Sequence, residues 1–366
     1  MAGILKVASF NVENLFGRAK VLNFLDQNVG NDKLGKINEF NTLLKKTTYT
    51  ASDKDQMLKL YKVELKDYIE VREDRGKFFK KQGFAIIGVA ANGCNDWDGA
   101  IEFKKAKFSE ITRKNTANVI RDVNADIVCI VEVENRQALE SFDSHLLDSQ
   151  YKYSLLIDGN DTRGIDVGLY SKHPPGNIHT HIFDEAGGEP IFSRDCLEVQ
   201  VILPGNQPLY ILCNHFKSRG YDAAGTAAKK RKIQAEQVVK ILGKYDLSKD
   251  WVVVAGDLND NPNSTPLQPL LKVHNMFDVL KLQFPDQMKR WTYYYKKFEQ
   301  IDFVLVSKAL KDNFKAAGVE RRGIYNLEKL TTSSGGLVDV EKEYSTVTHW
   351  TNAASDHGAV WAEFNL

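Results

Sequence analysis

Apolar and polar positions alternate along this chain in short bursts rather than in long helical stretches. Runs rich in β-branched and aromatic residues recur, each bounded by turn formers: ILKVASFNV near the start, then ADIVCIVEVE, GIDVGLYS, LEVQVILP, LYILCNHF, WVVVAGDLN, IDFVLVS and, at the end, GAVWAEFNL. Runs of this length and composition read as strands. Two segments carry helical spacing instead. Phe108, Ile111, Val119, Ile120 and Val123 share one face ahead of ADIVCIVEVE, and Ile233, Val238, Ile241 and Leu242 share one ahead of WVVVAGD. Helices set among many strands predict a layered α/β fold rather than an all-β sandwich.

Two stretches break this pattern and read as insertions into a single domain spanning residues 1–366. The first, at 20–105, holds a lysine-rich helix opened by Ser52-Asp53-Lys54-Asp55, with Met57, Leu60, Tyr61, Leu65, Tyr68 and Ile69 as its apolar stripe. The second, at 312–354, is polar and rich in Gly, Ser and Thr. The first leaves the chain directly after its opening strand, so it is expected to shape access to whatever site that strand builds.

Composition narrows the function classes. The 49 Lys+Arg nearly balance the 48 Asp+Glu, a formal charge of +1, so no global polyanion-binding signature is present and any phosphate recognition has to be local. No apolar run reaches the roughly 20 residues that cross a bilayer, and no membrane association is expected. The opening MAGILKVASF lacks the layout of a signal peptide. Cys94, Cys129, Cys196 and Cys213 form no CxxC pair, and Cys129 and Cys213 lie inside apolar runs as buried thiols. A cytoplasmic setting follows, or a secreted one had a leader been removed.

The candidate chemistry lies at the ends of the strands. The first ends in Phe10-Asn11-Val12-Glu13, and the second carries Glu132 among Ile130, Val131 and Val133. A third ends in Asn214-His215-Phe216-Lys217-Ser218, and a fourth in Gly256-Asp257-Leu258-Asn259-Asp260. Asp302 opens another, and Ser355-Asp356-His357 precedes the last. Singly, Asn and Asp at strand ends make turns; together they predict polar groups gathered on one rim of a sheet. Oxygen donors of this kind suit a hard divalent cation such as Mg²⁺, whereas no His/Cys set has zinc spacing. Phosphodiester hydrolysis needs an activated water, a polarised phosphoryl oxygen and stabilised charge, and this inventory supplies them.

NVEN, a strand-borne glutamate, GDLND, IDFVLVS and SDH, in that order, resemble the endonuclease/exonuclease/phosphatase superfamily, over the first 16 residues, roughly 105–310 and the last dozen. The resemblance implies a four-layered α/β/β/α sandwich, with two mainly antiparallel mixed sheets flanked by helices. It implies that Asn11, Glu13 and Glu132 bind Mg²⁺ or Mn²⁺, with Asp356 completing that site. Asp257 then activates water and Asn259 contacts phosphate. His357 stabilises the phosphoryl oxygen, Asp302 holds its tautomer, and His215 is a second catalytic histidine. Glu13 departs from some relatives, which leaves its direct ligation open.

Arg163, Asn214, Lys217 and Arg219 are the candidate substrate contacts. Lys229-Lys230-Arg231-Lys232 reads as a phosphate contact or as a solvated basic face, and Trp291, Tyr293, Tyr294 and Tyr295 read as a base-stacking surface or as core packing. The function this implies is a monomeric metal-dependent nuclease acting on nucleic acid, DNA in preference to RNA. A phosphatase or phosphodiesterase on a small or lipid-derived phosphoester is the alternative. A catalytically inactive binding member is a third reading, and the intact motifs argue against it.

Overall fold

All the apolar runs become strands, joined by shorter ones, in the computed structural model, which describes residues 3–13, 15, 19–22, 27–104, 110–161, 164–219 and 225–366. In chain order they are β1 (Ile4–Asn11), β2 (Ile127–Val133), β3 (Tyr153–Leu156), β4 (Asp166–Ser171), β5 (Pro175–His179), β6 (Cys196–Leu203), β7 (Gln207–His215), β8 (Trp251–Asp257), β9 (Met276–Asp278), β10 (Asp302–Ser307), β11 (Phe314–Glu320) and β12 (Ala359–Asn365). They form two six-stranded sheets, ordered β11-β12-β1-β2-β4-β3 and β9-β10-β8-β7-β6-β5. Both sheets are mixed. β1 runs parallel to β2 and β7 parallel to β8, and the other pairings are antiparallel.

Alternation across the pleat builds the layers. Leu5, Val7, Cys129, Val131 and Leu169 of the first sheet share one core with Leu197, Val199, Ile211, Cys213, Ala255 and Val304 of the second. Burying each large aliphatic side chain here contributes about 1.5–3 kcal/mol. Ala8, Phe10, Val128 and Ile130 point the other way. They are covered by Val119, Ile120 and Val123 of helix α1 (Glu110–Val123) and by Leu139 and Phe142 of α2 (Arg136–Leu146). Leu212, Val252, Val254, Phe303 and Leu305 are covered by Ala235, Val238, Ile241 and Leu242 of α3 (Thr226–Leu242). The result is the expected α/β/β/α sandwich.

Departures from the expected elements have local causes. Ile111, read as part of the α1 face, is exposed, while Thr112, Asn115 and Thr116 are buried in its place; Phe108 lies outside the described residues. Residues 314–320, assigned by their polarity to an insertion, form the edge strand β11, paired with β12 from Phe314↔Phe364 to Glu320↔Ala359. The sequence FKAAGVE is poor in strand formers because Trp361 of β12 overlies it: a Cβ at Gly318 would fall 2.6 Å from the indole Cζ2. Lys229-Lys230-Arg231-Lys232 is not one solvated face, since Arg231 is buried and its Nε donates to Asp260 Oδ2 at 2.9 Å.

Residues 17–107 form a separate compact unit. It contains helices over Gln27–Leu44 and Ala51–Lys59, a π-helical turn over Leu60–Leu65, and two antiparallel strand pairs, Ile69–Gly76 with Trp97–Phe103 and, between them in the chain, the hairpin of Phe79–Gln82 with Ala85–Val89. The expected helix is capped two residues earlier than the Ser52-Asp55 opening suggests, at Thr50. Thr50 accepts from the Asp53 N–H while the Asp53 carboxylate accepts from the Thr50 N–H at 2.9 Å. Phe78 centres the unit's aromatic core, 6.1 Å from Phe40 and 4.7 Å from Trp97. Among the described residues no helix is long and apolar enough to cross a membrane.

A buried ionic hub ties β6 to the end of α3. His181 places Nδ1 and Nε2 each 2.9 Å from Asp184 Oδ2 and Glu198 Oε2. Tyr245 donates to the other Glu198 oxygen at 2.6 Å and Lys244 to Oε2 at 3.2 Å. Burial opposes charge on both partners, but the hydrogen bonds win: His181 is raised, and Glu198 is lowered to about 2. Glu198 therefore stabilises the fold above its unfolded value of about 4.3, and that contribution is lost as pH falls toward 2. His181 stabilises it below about 6.5 and loses that contribution as pH rises through its higher folded value. Glu198→Gln is expected to cost about 3 kcal/mol near pH 6. In denaturant titrations the gap to the unsubstituted protein should narrow below pH 4 and above pH 8, and a pH-independent gap would show that the hub does not titrate as described.

Candidate active site

Strand direction brings the polar ends together. The parallel pairs β1/β2 and β7/β8 finish at the edge where antiparallel β10 and β12 begin, so Asn11, Glu132, His215, Asp257, Asp302 and His357 reach one rim. His215 pairs with Asp257 across β7/β8, and Asp257 pairs with Asp302 across β8/β10. Gly256 makes this possible. Its φ is +140°, and a Cβ there would lie 1.8 Å from the Asn214 carbonyl oxygen, so any side chain would push the two strands apart.

Asp257 is the hub. Its Oδ1 accepts the Asn259 N–H at 2.8 Å, and its Oδ2 accepts from Asn259 Nδ2 at 3.1 Å and Asn11 Nδ2 at 3.2 Å. His215 Nε2 lies 3.7 Å from Asp257 Oδ2 and 3.7 Å from Glu132 Oε1. Burial first, and the Asp302 charge second, push the Asp257 carboxyl up to about 7. A carboxyl tuned near neutrality is suited to general-base work.

His357 Nδ1 lies 2.8 Å from Asp302 Oδ2, both groups buried. Burial would push His357 down, but Asp302 and Asp356, and then Asp257, hold it well above its ordinary value. With Nδ1 spent on Asp302, Nε2 remains as the donor; it stands 3.7 Å from Asp356 Oδ1. The ring is also seated by Tyr293, 4.8 Å away between centroids.

The carboxylate and imidazole atoms of Asp257, Asp302 and His357 lie within 4.8 Å of one another, the group of three among the described residues whose donor atoms meet so closely. Glu13, Glu132 and Asp356 do not form such a group. The donor chemistry nonetheless fits a hard divalent cation: Asp302 Oδ1 is buried with no hydrogen-bond partner, and the buried Asp257 carboxyl lies close to the further negative charges of Asp302 and Glu132. Glu13 and Glu132 both adopt positive φ, +49° and +69°, the latter where the β2/β4 register shifts. Strain of this kind costs about 1–3 kcal/mol per residue and clusters at functional sites.

The remaining candidates divide. Asn214 is fully buried and donates to the Leu212 carbonyl at 3.0 Å, because the pleat turns it away from the face that His215 occupies. Arg219 is held bidentately by Glu299 at 2.9 and 3.0 Å. Lys217 has its main chain fixed by Gln234 and Arg231 while its side chain is partly exposed. Arg163 lies outside the described residues. Trp291 and Tyr293 are buried, so those two aromatics pack the interior instead of offering a surface.

Sequence reasoning missed Arg194. It is 1% exposed, with Nε 3.1 Å from His215 Nδ1 and Nη2 2.7 Å from Nε2. Guanidinium only donates and a neutral imidazole has one lone-pair nitrogen, so one of these contacts is a hydrogen bond and the other a close approach. The signal was an Arg-Asp pair entering an apolar strand: β6 is antiparallel to β7, so its beginning reaches the rim where β7 ends. Ser355 was missed as well. Its hydroxyl donates to the Asn11 carbonyl at 2.7 Å and accepts the His357 N–H at 3.0 Å, joining β1 to the His357 turn.

The model of the Endonuclease/Exonuclease/phosphatase family matches residues 85–365. The chain belongs to that family. It is accordingly an enzyme that hydrolyses phosphoester bonds. No curated protein matches it. Among solved structures, truncated TDP2 from Caenorhabditis elegans is similar at 17% identity and TM-score 0.47, over 70% of this chain and 91% of that one. Staphylococcus aureus beta toxin 275-280 is similar at 19% and 0.48, over 70% and 93%. An endonuclease/exonuclease/phosphatase from Beutenbergia cavernae is similar at 19% and 0.48, over 69% and 66%.

The 2.8 Å contact makes a prediction for the family reaction in this chain. His357→Ala and Asp302→Ala should each lower kcat/KM by about 10³-fold or more, and the double variant should fall scarcely below the worse single one. Losses that add in free energy would show that the two residues act independently.

Proposed function

We propose that this enzyme is a divalent-metal-dependent nuclease that cleaves phosphodiester bonds in nucleic acid, DNA in preference to RNA. The observation that carries this reading is the pair of imidazoles, His215 and His357, both close to the buried Asp257 carboxyl. A diester has an ester oxygen to expel and a phosphoryl oxygen to neutralise, and two histidines serve both. The DNA preference rests on the Asn214–Ser218 run and the GIDVGLYS strand, which resemble bacterial nucleases of the family.

Asp257 accepts the proton of the attacking water, oriented by the Asn259 and Asn11 amides that share its oxygens. His357, anchored on Asp302, donates through Nε2 to the phosphoryl oxygen. His215, positioned by Arg194, serves the leaving oxygen. Glu132 and Asn11 would hold the cation, with Asp356 and Glu13 beside them, and Mg²⁺ or Mn²⁺ there supplies charge neutralisation and polarisation of the phosphoryl group.

EDTA is expected to abolish hydrolysis, and Mg²⁺ or Mn²⁺ to restore it. Glu132→Gln should keep the circular-dichroism spectrum while losing at least about 100-fold in kcat. Assays on plasmid, single-stranded oligonucleotides, RNA and inositol phosphates decide the substrate. Full turnover in EDTA rules out the metal, and turnover confined to small phosphoesters rules out the nuclease.

A further inference from the structure

Three rings stand in a row in the stretch that leads into Ser355-Asp356-His357. The Tyr325 and His349 centroids are 6.1 Å apart with planes tilted by 50°, and those of His349 and Trp350 are 5.6 Å apart with a tilt of 40°. His349 is exposed, and Tyr325 and Trp350 are partly so. Their backbone is irregular, yet it is fastened at many points. Thr112 donates to the Thr351 carbonyl at 2.9 Å, Asn115 to that of Asn352 at 2.6 Å, and Thr116 to that of Ala354 at 3.1 Å. The turn bearing Tyr325 is stitched to the same stretch, with the Tyr344 N–H on the Arg322 carbonyl at 2.8 Å and the Ala354 N–H on that of Gly323 at 2.9 Å. Gly323 permits this approach, since a Cβ there would lie 2.6 Å from Ala354 Cβ and 2.7 Å from Val119 Cγ2. His349 itself is held, its Nδ1 accepting the Thr351 N–H at 3.3 Å.

A rigid, partly exposed aromatic row has a ligand chemistry, and its surroundings say which. Residues 344–355 read YSTVTHWTNAAS and contain no Lys, Arg, Asp or Glu, and Arg322, which packs on Tyr344, is already paired with Asp122 and Glu320, so the row is not built to grip phosphate. The phosphate site follows within the same stretch, at Asp356 and His357. A ligand spanning both presents a phosphoester to one part and a flat apolar ring to the other, which is the description of a nucleotide within a strand. Paired bases hide their faces in the duplex stack; unpaired ones expose them.

We propose that Tyr325, His349 and Trp350 form a stacking platform for unpaired nucleobases, in the stretch of chain that leads into Asp356 and His357, which makes single-stranded segments the preferred substrate. This rests on the nuclease reading above and adds the specificity determinant. Stacking on one aromatic side chain is worth about 5- to 150-fold in affinity.

The test measures binding in EDTA by fluorescence anisotropy, using a labelled single-stranded 12-mer, the same strand with a central run of abasic nucleotides, and a blunt duplex. Trp350→Ala and His349→Ala should each weaken the base-bearing single strand by about fivefold or more and leave the abasic strand and the duplex unchanged. Trp350→Phe should recover most of the loss. With Mg²⁺ present, the alanine variants should raise KM for the single strand and keep kcat. If the unsubstituted enzyme binds base-bearing and abasic strands equally and the variants change neither, the platform is refuted while the nuclease reading stands. If the enzyme neither binds nor cleaves nucleic acid yet hydrolyses small phosphoesters, both readings fall.

Discussion

Asp257 and Asp302 face one another across the β8/β10 ladder, both buried, and the rest of the site answers that repulsion. Two like charges in the interior cannot both remain ionised without partners. Asp302 is answered by the raised imidazole of His357, and Asp257 by the amides of Asn11 and Asn259 and by its own raised affinity for a proton. In the proposed mechanism each answer also serves the chemistry: an oriented donor, a base poised near neutrality, and an anionic pocket that suits a cation. The electrostatic penalty of the pairing and the chemistry of the site have one origin.

Holding that pair requires precise strand placement, which the large inter-sheet core supplies. Gly256 sets the closeness of β7 and β8, and Ser355 ties the start of the last strand to the end of the first. The sandwich also supports the unfavourable backbone at Glu13 and Glu132. Arg194 extends the scheme to the second imidazole, approaching both ring nitrogens of His215.

The buried polar strip of α1 shows how an irregular segment is kept rigid without secondary structure. Main-chain carbonyls of 351, 352 and 354 need partners, and Thr112, Asn115 and Thr116 donate to them. Counting apolar positions misplaced this helix's inner face at Ile111 because its packing there is by hydrogen bonds. The same economy operates in the His181 hub, where side chains from β6 and the end of α3 close around one imidazole.

The strands, the layered fold and the gathering of polar groups on one rim were legible in the chain because each depends on local pattern: alternation fixes a strand, and a polar group at its end has few reasons to be there. What the sequence left open were matters of direction and partner. Asn214 and His215 are neighbours in sequence and opposed across the pleat, so only the sheet shows which one faces the rim. Arg194 and Thr112 carry no local mark of their roles, since their partners lie 21 and 239 positions away. β11 is hidden because small residues under Trp361 resemble a loop. Local preference determined which segments become strands and helices; the tertiary fold decided which polar side chains meet, because a hydrogen bond acts over about 3 Å of space and takes no account of distance along the chain.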